Sequence, residues 1–502
     1  MKTSHALFSL SFLALACICG CSAGWPDAAP TQERARLWPD YADLVIPHNI
    51  APLNCELKNS AEACRFKLAS FDAKDVYAGS GKTLTFPLKR WRSILVASKG
   101  NHVTLDIAVQ RNGEWVKLLT TTNHVASDPI DPALVYRLIP PSYERFQALR
   151  ICQRDLTCFD ERTLYSNQQV SNEQCVNCHT FQNYDGRSFA FHTRLHQGGT
   201  IILREGKKPL KVDLKCDNLY SSAAYPAWHP IDSNLFAFSV NKTRQTFYMT
   251  HNNKIEVLDS QSGLILYDAA KNQVSPILLS DDFLATFPAW SPDGKTLYYT
   301  LAEMNNLPPV SEETNRLNEV ALQSTNLFYH LVCRSFDKET KSFGVQRLLI
   351  NAQKSRASIA FPSVSPEGNY LMMTVLAFAN FPIWHKESDL WLYNIKTQDS
   401  RALTEVNSPE ADSYHAWGSN GRWFVFGTRR DDGIHTRPYI ASFDPASGKA
   451  GKPFIVPQRD PRFYKESFDS FNRPELLKVP VPYSAETIRQ AVLQPDVKAT
   501  FQ

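Results

Sequence analysis

The 502-residue chain is short of glycine, with 20 residues against 31 prolines, and holds only 5 methionines. Its net charge is close to nil, +4 from 54 basic and 50 acidic side chains, and no basic run is present to follow a phosphate backbone. That balance argues against a nucleic-acid binder. Beyond the first two dozen residues no apolar stretch is long enough to span a bilayer as a helix. Two enzyme signatures are also missing: there is no Gly-x-Ser-x-Gly elbow and no His-Glu-x-x-His helix. The acid pairs Asp281-Asp282 and Asp431-Asp432 read as solvated turns, so the chain is expected not to be an enzyme.

What is present suits a β-rich globular protein. Hydrophobic residues make up 43% and aromatics 12%, with frequent turn residues between them. The length predicts more than one domain. The N-terminal "MKTSHALFSLSFLALACICGCSAG" has Lys2, an apolar run to Cys19, then small residues, and reads as an export signal over 1–20. Its end resembles a lipobox, which would make Cys21 the lipidated first residue of an envelope protein anchored to a membrane. Of the remaining cysteines, Cys55 with Cys64 and Cys152 with Cys158 are the expected local disulfides, with Cys216 and Cys333 left over.

Residues 21–64 read as a linker. Residues 65–135 read as a small antiparallel β-domain. Val103, Leu105, Ile107 and Val109 alternate with polar residues, and Asn112-Gly113 marks a hairpin turn before Trp115. Leu84, Phe86 and Leu88 alternate in the same way. Residues 136–165 read as a bridging helical segment, from the stripe Tyr143, Phe146 and Leu149. Four stretches then share one template: "AYPAWHPIDSNLFAFSVN" (224–241), "TFPAWSPDGKTLYYTLA" (286–302), "AFPSVSPEGNYLMMTV" (360–375) and "SYHAWGSNGRWFVFGTR" (413–429). Each is a strand, a tight turn and a strand, with proline fixing φ and glycine supplying φ > 0. Repeats of this size predict a β-propeller of about six blades over 166–470, followed by a tail over 471–502. The stretch 303–326 interrupts the pattern and reads as an insertion loop.

One further stretch fits the template, "CHTFQNYDGRSFAFHTR", which begins inside Cys175-Val-Asn-Cys178-His179. From composition alone this pentapeptide pattern has a chance count of about 0.006. Thiols at i and i+3 with an adjacent imidazole match covalent haem, both cysteines forming thioethers and His179 ligating iron. Zinc, a redox thiol pair and a structural disulfide are the alternatives. Zinc lacks a second ligand pair at finger spacing, and a redox pair lacks a βαβ context. For the sixth iron ligand His192 is the first candidate, on the strand beside the motif, with His196 and Met304 next. Arg187 and Arg194 are candidates for haem propionates.

The repeats resemble those of TolB-like propellers. More closely, 125–470 is similar to bacterial envelope proteins that join such a propeller to a single Cys-x-x-Cys-His and are sometimes labelled cytochrome c biogenesis proteins. The resemblance lies in "DPIDPALVYRLIPPSYERF", "CVNCHTF", "FAFHTR", "IWHKESDLWLYN" and "RPYIASFD". It implies haem c on Cys175 and Cys178, His179 as ligand, a functional His192 and an envelope protein; with the lipobox at Cys21 the expected location is periplasmic and lipid-anchored. The expected function is electron transfer, with the propeller docking a redox partner. The alternative is a non-catalytic scaffold of an envelope complex in which haem is structural or absent.

Overall fold

In the computed structural model the described residues are 25–502, except 142, 172, 248–254, 305–317, 319 and 322 and the side chains of Tyr143, Glu144, Phe146 and Cys178. The expected signal, Cys21 and most of the insertion loop lie outside them. No helix among the described residues is long and apolar enough to cross a membrane.

The repeats fold as the turn chemistry dictates. In "SPDGKT" the Ser291 hydroxyl donates to Asp293 and accepts from the Thr296 amide at 2.9 Å, while Gly294 takes φ +69°. The turn at Ser365 repeats this, with Tyr370 N donating to Ser365 Oγ at 3.0 Å and Gly368 at φ +78°. Each such turn joins an inner strand to its antiparallel neighbour, and the neighbours build outward into blades.

The described residues form six blades, and the protein is an all-β propeller with a small β-domain before it. Blade 1 runs Gln174–Gln182, Asp185–Leu195, Gly199–Arg204, Leu210–Asp213, and so contains the Cys-x-x-Cys-His motif in its inner strand. The inner strands of blades 2 to 5 are Ala223–Trp228, Phe283–Trp290, Ser358–Val364 and Asp412–Trp417. Blade 6 is made from both ends of the propeller sequence. Its inner strand is Ser470–Leu477, hydrogen-bonded to Ala133–Ile139, then Arg150–Asp155, then Glu161–Ser166. The propeller thereby closes without a free inner edge.

Blade 6 corrects two readings. The segment 136–165 is not a helical bridge but three outer strands, with one short 3-10 helix at Tyr143–Ala148. The stretch 471–502 is not a tail: it supplies the closing inner strand, the helix Ala485–Leu493 and two short strands. Val497–Lys498 pairs in parallel with the outer edge of blade 1, and Thr500–Phe501 with that of blade 2.

Adjacent blades interlock through their inner strands. Trp290 Nε1 of blade 3 donates to the Ala227 carbonyl of blade 2 at 3.1 Å, and Trp417 Nε1 of blade 5 to the Ser363 carbonyl of blade 4 at 3.1 Å. A buried Trp N–H usually finds a partner; the repeated Trp meets that condition between blades in blades 3 and 5, and within its own blade in blade 2, where Trp228 Nε1 donates to the Ser233 carbonyl at 3.2 Å.

The small domain starts earlier than the sequence suggests. Ala29–Arg34 and Val45–Pro47, read as linker, pair in parallel with Glu114–Leu119 and Thr121–Ala126. The sheet is therefore mixed rather than purely antiparallel. The Asn112-Gly113 hairpin is present, with Arg111 opposite Glu114 and φ of +52° and +81° at the turn. Leu88 does not continue a strand. Pro87 precedes a helix, Leu88–Ala97, whose buried Trp91, Ile94 and Leu95 follow helical spacing. The domain shares one core with blades 4 to 6, and Tyr41, Asn54 and Trp423 hydrogen-bond across the junction.

Candidate functional site

All six inner strands carry a β-bulge at the same place, shown by a register shift in each pairing. In five of them the first bulge residue is a non-glycine at φ near +50°: Tyr225, Phe287, Phe361, Tyr414 and Arg473. Such conformations cost free energy and persist only where the surroundings over-determine them. In blade 1 the register gives the same place to Asn177. The second bulge position is Pro226, Pro288, Pro362 and Pro474 in four blades, His415 in blade 5 and Cys178 in blade 1. The residue after the bulge is small in four blades, Ala227, Ala289, Ser363 and Ala416. It is His179 in blade 1 and Glu475 in blade 6.

The bulges of blades 2 to 6 line a cavity of about 150 Å³, among them Tyr225, Phe287, Phe361, Tyr414, His415, Arg473 and Glu475; blade 1 contributes no residue to the lining. The volume is below the roughly 300–1,000 Å³ usual for ligand pockets. The aromatic side is packed, Phe287 and Phe361 lying 4.1 Å apart between ring centres. Next to Glu475, outside that lining, lies a buried polar side chain of blade 1. His179 is fully buried and neither ring nitrogen has a hydrogen-bond partner. Its Nε2 lies 3.5 Å from Glu475 Oε1, outside hydrogen-bond geometry, and that oxygen is also unpartnered. Burial, with Arg473 and Arg137 nearby, holds the His179 imidazole well below its ordinary pKa, so it is neutral. Burial raises the Glu475 carboxyl to about 7. Arg137 braces the motif strand from blade 6, donating to Asn177 Oδ1 at 2.7 Å and the Val176 carbonyl at 3.2 Å.

His192 is not where an iron bound to His179 would need it. His179 pairs with Phe191 across the blade 1 hairpin, so the two share a face and His192 points to the other. His192 is buried there against Thr200 Oγ1, 3.2 Å from its Nδ1. Burial lowers its pKa to about 3. His196 is exposed, and Met304 packs with Leu258 and Tyr329, away from the motif. Arg187 is held by Asp185 at 2.6 Å and Glu205 at 3.1 Å.

By residue type and spacing the donor set matches haem c, but the fold does not bring the donors to one face. It has thiols at i and i+3 and a neighbouring imidazole whose nitrogens are buried and unpartnered. Cys175 is half-buried, packs against the blade 1 core, and its thiol accepts from the Asn177 amide at 3.9 Å. Cys175 pairs with Arg194 and belongs by register to the face opposite His179. Among the described residues no group of three His, Cys, Asp or Glu side chains stands ready for a bare metal ion.

Neither expected disulfide forms: Cys55, Cys64, Cys152 and Cys158 are free thiols. Cys152 turns from its strand toward Thr163 Oγ1, 3.9 Å away, while Cys158 sits in a turn and accepts from the Asp160 amide. Cys64 turns toward the Arg65 carbonyl.

A second buried polar group escaped the sequence reading. The strands Leu235–Phe247 and Ile255–Asp268 form a long hairpin of blade 2 that reaches the loop before Asp389 in blade 4. There His385 lies between Glu256 at 2.8 Å and Glu387 at 3.0 Å. Asp259 accepts from Asn241 and Asn380, each at 2.9 Å. Glu475 and His415 were also missed. The available signal was the template itself, in which "YHAW" breaks the proline of "YPAW" and "FPAW".

No family model matches the chain, and no curated protein does. Among solved structures it is similar to an oligogalacturonate lyase in complex with manganese, at 12% identity and TM-score 0.36, over 63% of this chain and 73% of that one. Cobalt-substituted Synechocystis ACO matches at 10% and 0.36, over 86% and 95%. A luciferin-regenerating enzyme matches at 14% and 0.35, over 69% and 95%. These scores are too low to transfer a site, and the fold rests on the blades' own hydrogen bonding.

Proposed function

We propose that this propeller carries one haem c, held by Cys175 and Cys178 with His179 as an iron ligand, and passes electrons to or from a docked partner. An envelope location with Cys21 as lipid anchor belongs to the same reading. The observation that supports it is the His179 imidazole, fully buried with both nitrogens unpartnered, at a position where four other blades have alanine or serine. Leaving such a group unpaired costs about 1–3 kcal/mol, which a bound acceptor for its lone pair would recover.

Haem, when attached, supplies a one-electron iron couple. The chain's own residues do the rest. Burial keeps His179 neutral, the form that ligates metal. Arg137 ties the motif strand to blade 6, so the ligand rides on the rigid barrel rather than on a loop. Phe181 packs edge-on against the His179 ring, with ring centres 5.8 Å apart.

The test is the pyridine haemochrome spectrum of full-length protein exported by a host that attaches haem. The account expects one haem per chain, lost in Cys175→Ser with Cys178→Ser. A colourless wild-type protein from a host that loads a control cytochrome overturns it, and leaves the scaffold reading.

A further inference from the structure

The sheet of the small domain has one covered face and one open face. Its covered face carries Phe66, Ile107, Val109 and Leu118 into the core that the helix Leu88–Ala97 shares. Cross-strand partners stand on the same side of a sheet. Arg65 opposite Ala108, Lys67 opposite Asp106, and Lys117 opposite Ala108 therefore share the open face, with Trp115 opposite Gln110 and Leu119 opposite Arg34. The centre of this face is basic. Lys67 and Lys117 share one carboxylate, Asp106, at 3.4 and 2.9 Å, and Arg65 adds a third cation 5.5 Å from the centre of the Trp115 ring. Arg34, at the rim, is matched by Asp43 at 3.0 Å. Trp25 has its ring centre 5.0 Å from Lys67 Nζ and stays 38% exposed. Tryptophan beside lysine and arginine is the composition of a membrane–water interface. The position of the chain's entry agrees. Ala29–Arg34 pairs into this sheet, and Trp25 follows Cys21 by four residues, which span at most about 14 Å when extended.

We propose that the open face of this sheet lies on the membrane that holds the anchor, against the headgroups of anionic phospholipids. This rests on the reading of Cys21 as the lipidated residue. Two features select a bilayer as the occupant. The short reach from Cys21 to Trp25 places the headgroups beside this face rather than another, and the excess cations at its centre match their phosphates. The lysines keep their ammonium groups available, since the Lys67 and Lys117 side chains are 35% and 33% exposed. The contact adds an electrostatic term to the anchor and fixes how the protein stands on the membrane, which a lipid chain alone does not. The small domain shares its core with blades 4 to 6, so fixing its face orients the propeller as well.

The experiment uses the processed, acylated protein, with the acyl group confirmed by intact mass. It is added to preformed vesicles of phosphatidylcholine, with or without phosphatidylglycerol, or kept in detergent. A water-soluble reagent acetylates exposed amines, and the rate at each lysine is read by mass spectrometry. The expected result is that Lys67 and Lys117 react at least fivefold more slowly on the phosphatidylglycerol vesicles than in detergent or on phosphatidylcholine alone. About 0.5 M salt should restore their rates by screening the contact. Lys207 and Lys208, exposed in an outer turn of blade 1, should react alike throughout. Trp25→Ser with Arg65→Glu should lose the protection of Lys117 while the protein stays on the vesicles. Equal rates at Lys67 and Lys117 in all three settings overturn the proposal and leave the anchor standing. So does equal protection on both kinds of vesicle, which removes the anionic lipid. Protection in detergent that grows with protein concentration marks a second copy on this face and overturns the proposal too. A protein without an acyl group at Cys21 overturns the anchor reading itself, and the proposal with it.

Discussion

Removing His385 should erase a specific alkaline loss of stability. The imidazole is fully buried between Glu256 and Glu387, and Phe378 closes its third side with ring centres 4.7 Å apart. Burial opposes its charge, but the two carboxylates win and raise its pKa from 6.5 to about 9. A group whose pKa rises on folding stabilises the fold fully below its unfolded value and loses that contribution as pH climbs through the folded one. The window is therefore about pH 6.5 to 9. At about 1.4 kcal/mol per pH unit the rise corresponds to about 3 kcal/mol, of the same order as breaking a buried ion pair. Asp259, on the same hairpin, does not confuse the reading. Its carboxyl is raised to about 6, so its destabilising effect is complete before neutral pH. The assay is urea unfolding of the wild type and His385→Gln at pH 6.5 and 9.5. The wild type should lose about 3 kcal/mol more than the variant between the two. Parallel losses in both proteins would refute the reasoning, because they would mean that the protonated pair stabilises nothing.

Three further outcomes follow from the fold. Truncation before Ser470 removes the inner strand of blade 6 and should abolish cooperative thermal unfolding, whereas deleting 497–502 removes only two edge pairings and should leave a cooperative transition. Gly294→Ala should lower stability by about 2 kcal/mol in urea unfolding, since a Cβ there lies 2.4 Å from the buried His229 ring at a φ of +69°. Cys152 and Cys64, buried and raised to about 12 and 11, should react with a thiol reagent more slowly than the half-exposed Cys158 in native buffer, and at similar rates in denaturant.

The repeat turns were legible because their chemistry is local: Ser291, Asp293 and Gly294 bond within six residues, and any chain with that sequence bends there. Blade 6 was not legible, because Ala133–Ile139 and Ser470–Leu477 pair across more than 300 residues and neither carries the turn that marks the other blades. The helix at Leu88–Ala97 was hidden by three alternating residues that straddle Pro87, where a strand pattern and a helix start overlap. At the site, the motif named its own residues but not their faces. The bulge between Val176 and His179 changes the strand's parity, and with it the choice of His192 as partner. His415 looks like an ordinary member of a repeat, and Glu475 lies outside every repeat, until the six bulges are set side by side. The cysteine pairs, close in sequence, diverged because strand direction and turn geometry, not spacing, aim a thiol.

The central claim, that the inner strand of blade 1 carries a covalently attached haem, is tested most directly by the intact mass of the exported full-length protein under denaturing conditions. The account predicts that the wild type exceeds its polypeptide mass, after any processing at the N-terminus, by one haem, and that the Cys175→Ser, Cys178→Ser protein does not. A wild type without that added mass, from a host that loads a control cytochrome, would contradict it.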